Sequence, residues 1–113
     1  MPERIQRKRV KGWKMPPNTV YVGRPGRFGN PLPFPFEQAV YRRWLCTSSQ
    51  RAKRVLDGLS DLRGKNLACW CAILDQQNNY VPCHADVLLS LANDIPIDEV
   101  IRENTRRAKG ETL

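Results

Sequence analysis

The stretch Leu67-Ala68-Cys69-Trp70-Cys71, followed after eleven intervening residues by Cys83-His84, constrains this chain more than any other. It contains three of the four cysteines and the one histidine. Leu67 to Cys71 reads as a short buried strand entered from an Arg63-Gly64-Lys65 turn, and Cys83 to Leu91 as a helix with His84, Val87, Leu88 and Leu91 on one face. Strand alternation puts Leu67, Cys69 and Cys71 on one side and Ala68 and Trp70 on the other. Chemistry that needs a soft ligand, a thiolate or an imidazole has to use these two segments.

Three readings of Cys69, Cys71, Cys83 and His84 stay open. Together they would make a Cys3His shell for zinc, although C-x-C and an adjacent Cys-His are less common ligand spacings than C-x2-C. Alternatively, Cys83 at a helix start is expected to be the most acidic thiol, with His84 and Asp86 as acid/base groups beside it. In the third reading they are small core side chains, with His84 bonded to a nearby carbonyl.

A second informative stretch runs from Gly23 to Pro33, with Gly23, Gly26 and Gly29 at three-residue spacing and Arg24 and Arg27 between them. Glycine lets backbone approach a ligand or take positive φ, and guanidinium groups grip phosphate, so Gly23, Arg24, Gly26, Arg27, Gly29 and Asn30 form a candidate phosphate-binding loop. The pattern is neither the dinucleotide fingerprint nor the Walker sequence. An ordinary glycine- and proline-rich surface turn is the competing reading.

Residues 1–14 are a basic arm or an edge strand over Arg4 to Val10, 15–93 the core, and 96–109 a C-terminal helix, all one domain of 113 residues. Thr19 to Val22 reads as a strand. Phe36 to Leu45 reads as a helix with Phe36, Val40 and Trp44 inward, and Gln50 to Leu62 as another with Ala52, Val55, Leu56 and Leu59 inward, interrupted at Gly58. Ile97 to Ala108 directs Ile97, Val100 and Ile101 inward, with Glu99/Arg102 and Glu103/Arg107 pairs outside. Residues 72–82 are a polar loop. This order predicts an α/β class, a small two-layer or three-layer-like domain with a short parallel or mixed sheet covered by helices, Rossmann-like in outline. In such sheets ligands gather beyond the carboxyl ends of the strands, so both informative loops are expected to face one crevice.

A formal charge of +8, concentrated near the two ends, suits a nucleotide or nucleic-acid partner, or only a solvated surface. No apolar run of about 18 residues is present, so neither a membrane span nor a membrane partner is expected, and the expected compartment is the cytoplasm, a host cytoplasm if the chain is phage-encoded. The four cysteines then read as thiols or metal ligands rather than disulfides.

Val20-Tyr21-Val22-Gly23-Arg24-Pro25, Phe28-Gly29-Asn30-Pro31, Leu62-Arg63-Gly64-Lys65 with Leu67-Ala68-Cys69-Trp70-Cys71, and Pro82-Cys83-His84-Ala85-Asp86-Val87-Leu88 resemble a small phage and bacterial family known as a domain of unknown function. The resemblance spans residues 4 to 93 and implies one intact domain with a shared crevice. The Ile73-to-Val81 stretch is longer than the short proline-rich link of that family. A strand ending in cysteine before a Cys-His helix start is also similar to a second bacterial family with an α/β fold. The expectation is a nucleotide or nucleic-acid phosphate bound between the two loops. A zinc-stabilised nucleic-acid module, or a phage protein that engages a host protein through Trp13, Trp44 or its basic faces, are the alternatives.

Overall fold

In the computed structural model, residues 2–24, 26–31 and 38–110 are described. Three short strands, β1 (Arg4–Gln6), β2 (Thr19–Tyr21) and β3 (Asn66–Cys69), form a parallel sheet in the order β1-β3-β2. Among the described residues, five helices complete an α/β fold: α1 (Gln38–Leu45), α2 (Gln50–Asp57), α3 (Leu59–Leu62), α4 (His84–Asn93) and α5 (Ile97–Ala108). The sheet is wholly parallel, with Arg4 opposite Leu67 on one side of β3 and Val20 opposite Leu67 on the other. The N-terminal basic segment is therefore an edge strand, confined to Arg4–Gln6.

Helix α4 is the hub, packed against β3, β1, α1, α3 and α5. Eight of its ten residues are buried, as suits a helix that is apolar on nearly all sides. Its N-terminus is closed by a capping box in which the Cys83 sulfur accepts from backbone and the Asp86 carboxylate accepts from the Cys83 amide at 2.9 Å. Asp94, in the left-handed conformation at φ 57°, ends it.

One ion pair ties β1 to this hub. The side chains of Arg4 and Asp86 are 0% and 1% exposed, with Nη1 of Arg4 3.2 Å from Oδ2 of Asp86. The same guanidinium donates to the carbonyls of Val81 at 2.5 Å and Ala72 at 2.7 Å and to the Tyr80 hydroxyl at 3.2 Å. Tyr80 donates in turn to Oδ1 of Asp86, and Asn104 of α5 accepts from the Arg4 amide at 3.2 Å. Burial, then the charge of Asp86, pushes the Tyr80 hydroxyl up, so it stays protonated and remains a donor. The 72–82 segment is thus more ordered than a plain polar loop. Leu74 and Tyr80 form an antiparallel bridge, and Oδ1 of Asp75 accepts from the Gln77 and Asn79 amides.

Several inward faces differ from the sequence expectation. Phe36 lies outside the described residues. In α1 it is Tyr41 and Leu45 that are buried, while Val40 is 39% exposed and Trp44 packs partly against the core. The stripe is turned by one residue because the Tyr41 ring meets the His84 ring edge-on at 5.9 Å. In α2, Ala52 and Val55 are buried but Leu56 is 42% exposed, a neighbour on the helix surface turned away from the core. In α5, Val100 and Asn104 are the buried positions, Ile97 and Ile101 being half-buried. On its surface Glu103 pairs with Arg106 and, at 4.0 Å, with Arg107, and Arg107 also reaches Glu3. No ion pair joins Glu99 to Arg102 among the described residues. No helix there is long and apolar enough to cross a membrane.

Removing one partner of a buried ion pair leaves an uncompensated charge, at a cost of about 3–5 kcal/mol. Arg4→Met is accordingly expected to lower unfolding free energy by about that amount in urea titration. The double change Arg4→Met with Asp86→Leu, which leaves no lone charge, is expected to cost less than Arg4→Met alone.

Candidate functional site

The carboxyl ends of β2 and β3 and the N-terminus of α4 enclose a cavity of about 300 Å³, lined by Gly23, Arg24, Asn30, Cys69, Trp70, Cys71, Cys83 and His84. Both informative loops reach it, as the parallel sheet requires.

On the glycine side, two successive turns set the shape. The Gly26 amide donates to the Gly23 carbonyl at 3.1 Å and the Gly29 amide to the Gly26 carbonyl at 3.0 Å. These amides are used within the loop, and none of the three glycines has positive φ. What the glycines supply is close approach. A Cβ on Gly23 would lie 2.4 Å from the Tyr21 hydroxyl oxygen, which donates to the Arg24 carbonyl at 2.6 Å. A Cβ on Gly29 would lie 3.0 Å from the Arg24 Cα. Nε of Arg24 donates to the Asn30 carbonyl at 2.6 Å, bridging the two limbs of the loop at the cavity rim.

The expected phosphate-binding residues therefore divide. Gly23, Arg24 and Asn30 face the cysteine cavity, and Gly29 is buried behind them. Gly26 and Arg27 line a separate basin with Gln50, Arg51 and Arg54. Nε of Arg27 donates there to the Arg54 carbonyl at 3.0 Å. Gly58 permits this docking, since a Cβ on it would lie 2.7 Å from the buried Phe28 ring.

On the cysteine side, β3 stops at Cys69, whose carbonyl takes the last sheet bond from the Arg7 amide at 2.8 Å. Trp70 turns out, 38% exposed, with the guanidinium groups of Arg7 and Arg9 at 4.7 and 4.8 Å from its ring centre. Cys71 turns back. The sulfurs of Cys69, Cys71 and Cys83 all lie within 4.8 Å of one another, and Cys69 and Cys83 are 3.5 Å apart. Cys69 and Cys83 are buried, whereas Cys71 is exposed.

Contact between the three thiols works against the expected order of acidity. Cys71 is driven well below the ordinary thiol range, first by the neighbouring Cys69 thiol and then by Cys83, with the Arg4 charge adding to the effect. Cys83 is driven up, first by its bond to Cys69 and then by its bond to Cys71 and its burial. The helix N-terminus favours a Cys83 thiolate, but the neighbouring thiols and burial work against it, and the same contacts favour thiolate character at Cys71.

His84 is held elsewhere. Its Nε2 is 2.6 Å from the Val22 carbonyl oxygen, which can only accept, so Nε2 carries the hydrogen. Burial lowers its pKa and keeps the ring neutral at pH 7. His84 lies outside the three-sulfur group and lines the adjoining wall. Asp86, considered beside it as an acid/base group, is 0% exposed and committed to Arg4, Tyr80 and the Cys83 amide. Asp86 is thus held behind the cavity wall rather than on it.

Sequence reasoning missed Arg4, Tyr80 and Trp70 as site-forming groups. Arg4 stands among five other basic residues of the first fourteen, so composition could not single it out.

Replacing Gly29 puts a methyl group against backbone rather than a mobile side-chain tip. Gly29→Ala is expected to cost about 1–3 kcal/mol in thermal or urea unfolding. The Arg24 backbone amide should also exchange hydrogen faster as the loop limbs separate.

No curated protein and no solved structure matches the chain. Residues 5–94, from within β1 to the end of α4 and including both cavity walls, match the family model described as Domain of unknown function (DUF4326), and the chain belongs to that family.

Proposed function

We propose that the protein binds a nucleotide, free or within a nucleic acid, in the cavity between Gly23-Asn30 and Cys69-His84, with phosphate at Arg24 and the base towards Trp70 and the cysteine wall. The observation that carries this reading is the meeting of one guanidinium-bearing wall and one aromatic, mostly apolar wall across about 300 Å³. That volume lies at the small end of ligand cavities and suits a single nucleotide unit. Arginine recognises phosphate oxygens in a bidentate manner, and bases pack on aromatic or guanidinium planes.

The surroundings favour an anion. Arg7 lies 4.7 Å from the centres of both the Tyr21 and the Trp70 rings, and Arg9 stands over Trp70, so a cation-and-aromatic ladder borders the cavity. The Arg27, Arg51 and Arg54 basin adds positive potential on the far side of the glycine loop. A strand of nucleic acid would gain from both, whereas a free nucleotide would use the cavity alone.

Nucleoside monophosphates and short single-stranded oligonucleotides titrated by calorimetry test the reading. Saturable binding is expected, weakened by about tenfold or more in Arg24→Ala, as the loss of a charge-assisted bond implies. Wild-type affinity in that variant, or no binding of either ligand at millimolar concentration, would reject the reading. For oligonucleotides, the logarithm of affinity is expected to fall linearly with the logarithm of salt concentration, more steeply than for a mononucleotide.

A further inference from the structure

We propose that Cys69, Cys71 and Cys83 form a three-thiolate site for one zinc ion whose fourth coordination position opens into the cavity. The three sulfurs lie within 4.8 Å of one another, with one pair at 3.5 Å. Zinc–sulfur bonds of about 2.3 Å in a tetrahedron set sulfur–sulfur separations of about 3.8 Å. The existing cluster needs shifts of only about 1 Å to meet that geometry, and the exposed Cys71 is the ligand free to supply them.

The ligands come from rigid elements. Cys69 ends the central strand and Cys83 caps the central helix, both buried, so two of the three sulfurs are held in place before any ion arrives. The outer environment also matches a thiolate-bound cation. The Ala85 amide donates to the Cys83 sulfur at 3.4 Å, and the Arg4 guanidinium, 3.4 Å from the Cys71 carbonyl oxygen, stands behind the cluster. Three thiolates and one divalent cation leave a single negative charge, which Arg4 and the α4 N-terminus offset. Binding releases the protons the thiols still hold.

This site differs from a closed four-ligand knuckle. His84 lies outside the sulfur group, so the three sulfurs alone make up the ligand set. The three cysteines line the same cavity as Gly23, Arg24 and Asn30, which is the space a fourth position would open into. Three protein ligands with an open position is the arrangement of zinc sites that bind water or a reacting group, whereas structural sites are closed. The ion would sit across the cavity from Arg24, where an anionic donor can reach both.

The full-length protein tests this directly, by elemental analysis after expression in zinc-supplemented medium and by cobalt(II) added to chelator-treated protein. About one equivalent of zinc is expected, and cobalt should give sulfur-to-metal charge-transfer bands with the intense visible bands of a tetrahedral site. Cys71→Ser, at an exposed position, is expected to weaken cobalt binding by at least about 100-fold, while Cys46→Ser, at an exposed cysteine outside the cluster, leaves it unchanged. Inorganic phosphate or imidazole should shift the visible cobalt spectrum if the fourth position is open. Metal-free protein that gives no cobalt bands, or that carries a Cys69–Cys83 disulfide under reducing purification, would overturn the site. Bands insensitive to both added ligands would overturn the open position. Nucleotide titration of the chelator-treated protein separates this result from the function proposed above, since phosphate binding at Arg24 needs no metal.

Discussion

Everything that gives this small domain a defined cavity depends on one arginine buried against one aspartate. Arg4 and Asp86 are almost fully withdrawn from water, and neither charge is tolerable there alone. Their contact fixes the edge strand to the central helix, and the spare donors of the guanidinium fasten both ends of the 72–82 segment through Ala72 and Val81. That segment separates Cys71 from Cys83 in sequence. The spacing of the cysteine cluster is therefore set by an ion pair that lies outside it.

The two walls are built by different physics. The cysteine wall is hydrophobic-core chemistry carried to the surface: β3 and α4 bury Cys69 and Cys83, and only Cys71 emerges. The glycine wall is held by close approach, with Tyr21 folded over Gly23 and the Arg24 backbone against Gly29. Larger side chains at either glycine would open the loop and move Arg24 away from the thiols. The separation of a positively charged rim from a polarisable sulfur floor follows from these two modes of packing.

Much of the scaffold was legible in the sequence because short-range signals agreed with the tertiary arrangement. Thr19 to Tyr21, the strand before Cys69, the helix starting after Cys83 and the helix from Ile97 to Ala108 all carried the correct periodicity or cap. Convergence of the two loops also followed from strand direction. Helix faces were less legible where apolar residues adjoin: Tyr41 or Val40, and Val55 or Leu56, are separated by about 100° on a helix, and only the partner surface decides between them. The roles of charged residues were the least legible. A run of basic residues gives no sign that Arg4 alone turns inward, because its carboxylate partner lies in a distant helix. The acidity order of the thiols was hidden for a similar reason, since helix-end electrostatics are local and contact between the thiols is not.

Because β3 lies between β1 and β2, the two early strands have no sheet contact with each other and pair only with it. On the ribosome, the first two strands emerge well before their shared partner, and Arg4 emerges well before Asp86. Closing such long loops is slow compared with local helix formation. The chain is thus assembled backwards: β3 and α4, made late, are the template onto which the N-terminus is laid. Until they emerge, the nascent protein carries an unpaired, arginine-rich segment of which Arg4 is later buried while Lys8 and Arg9 stay at the surface.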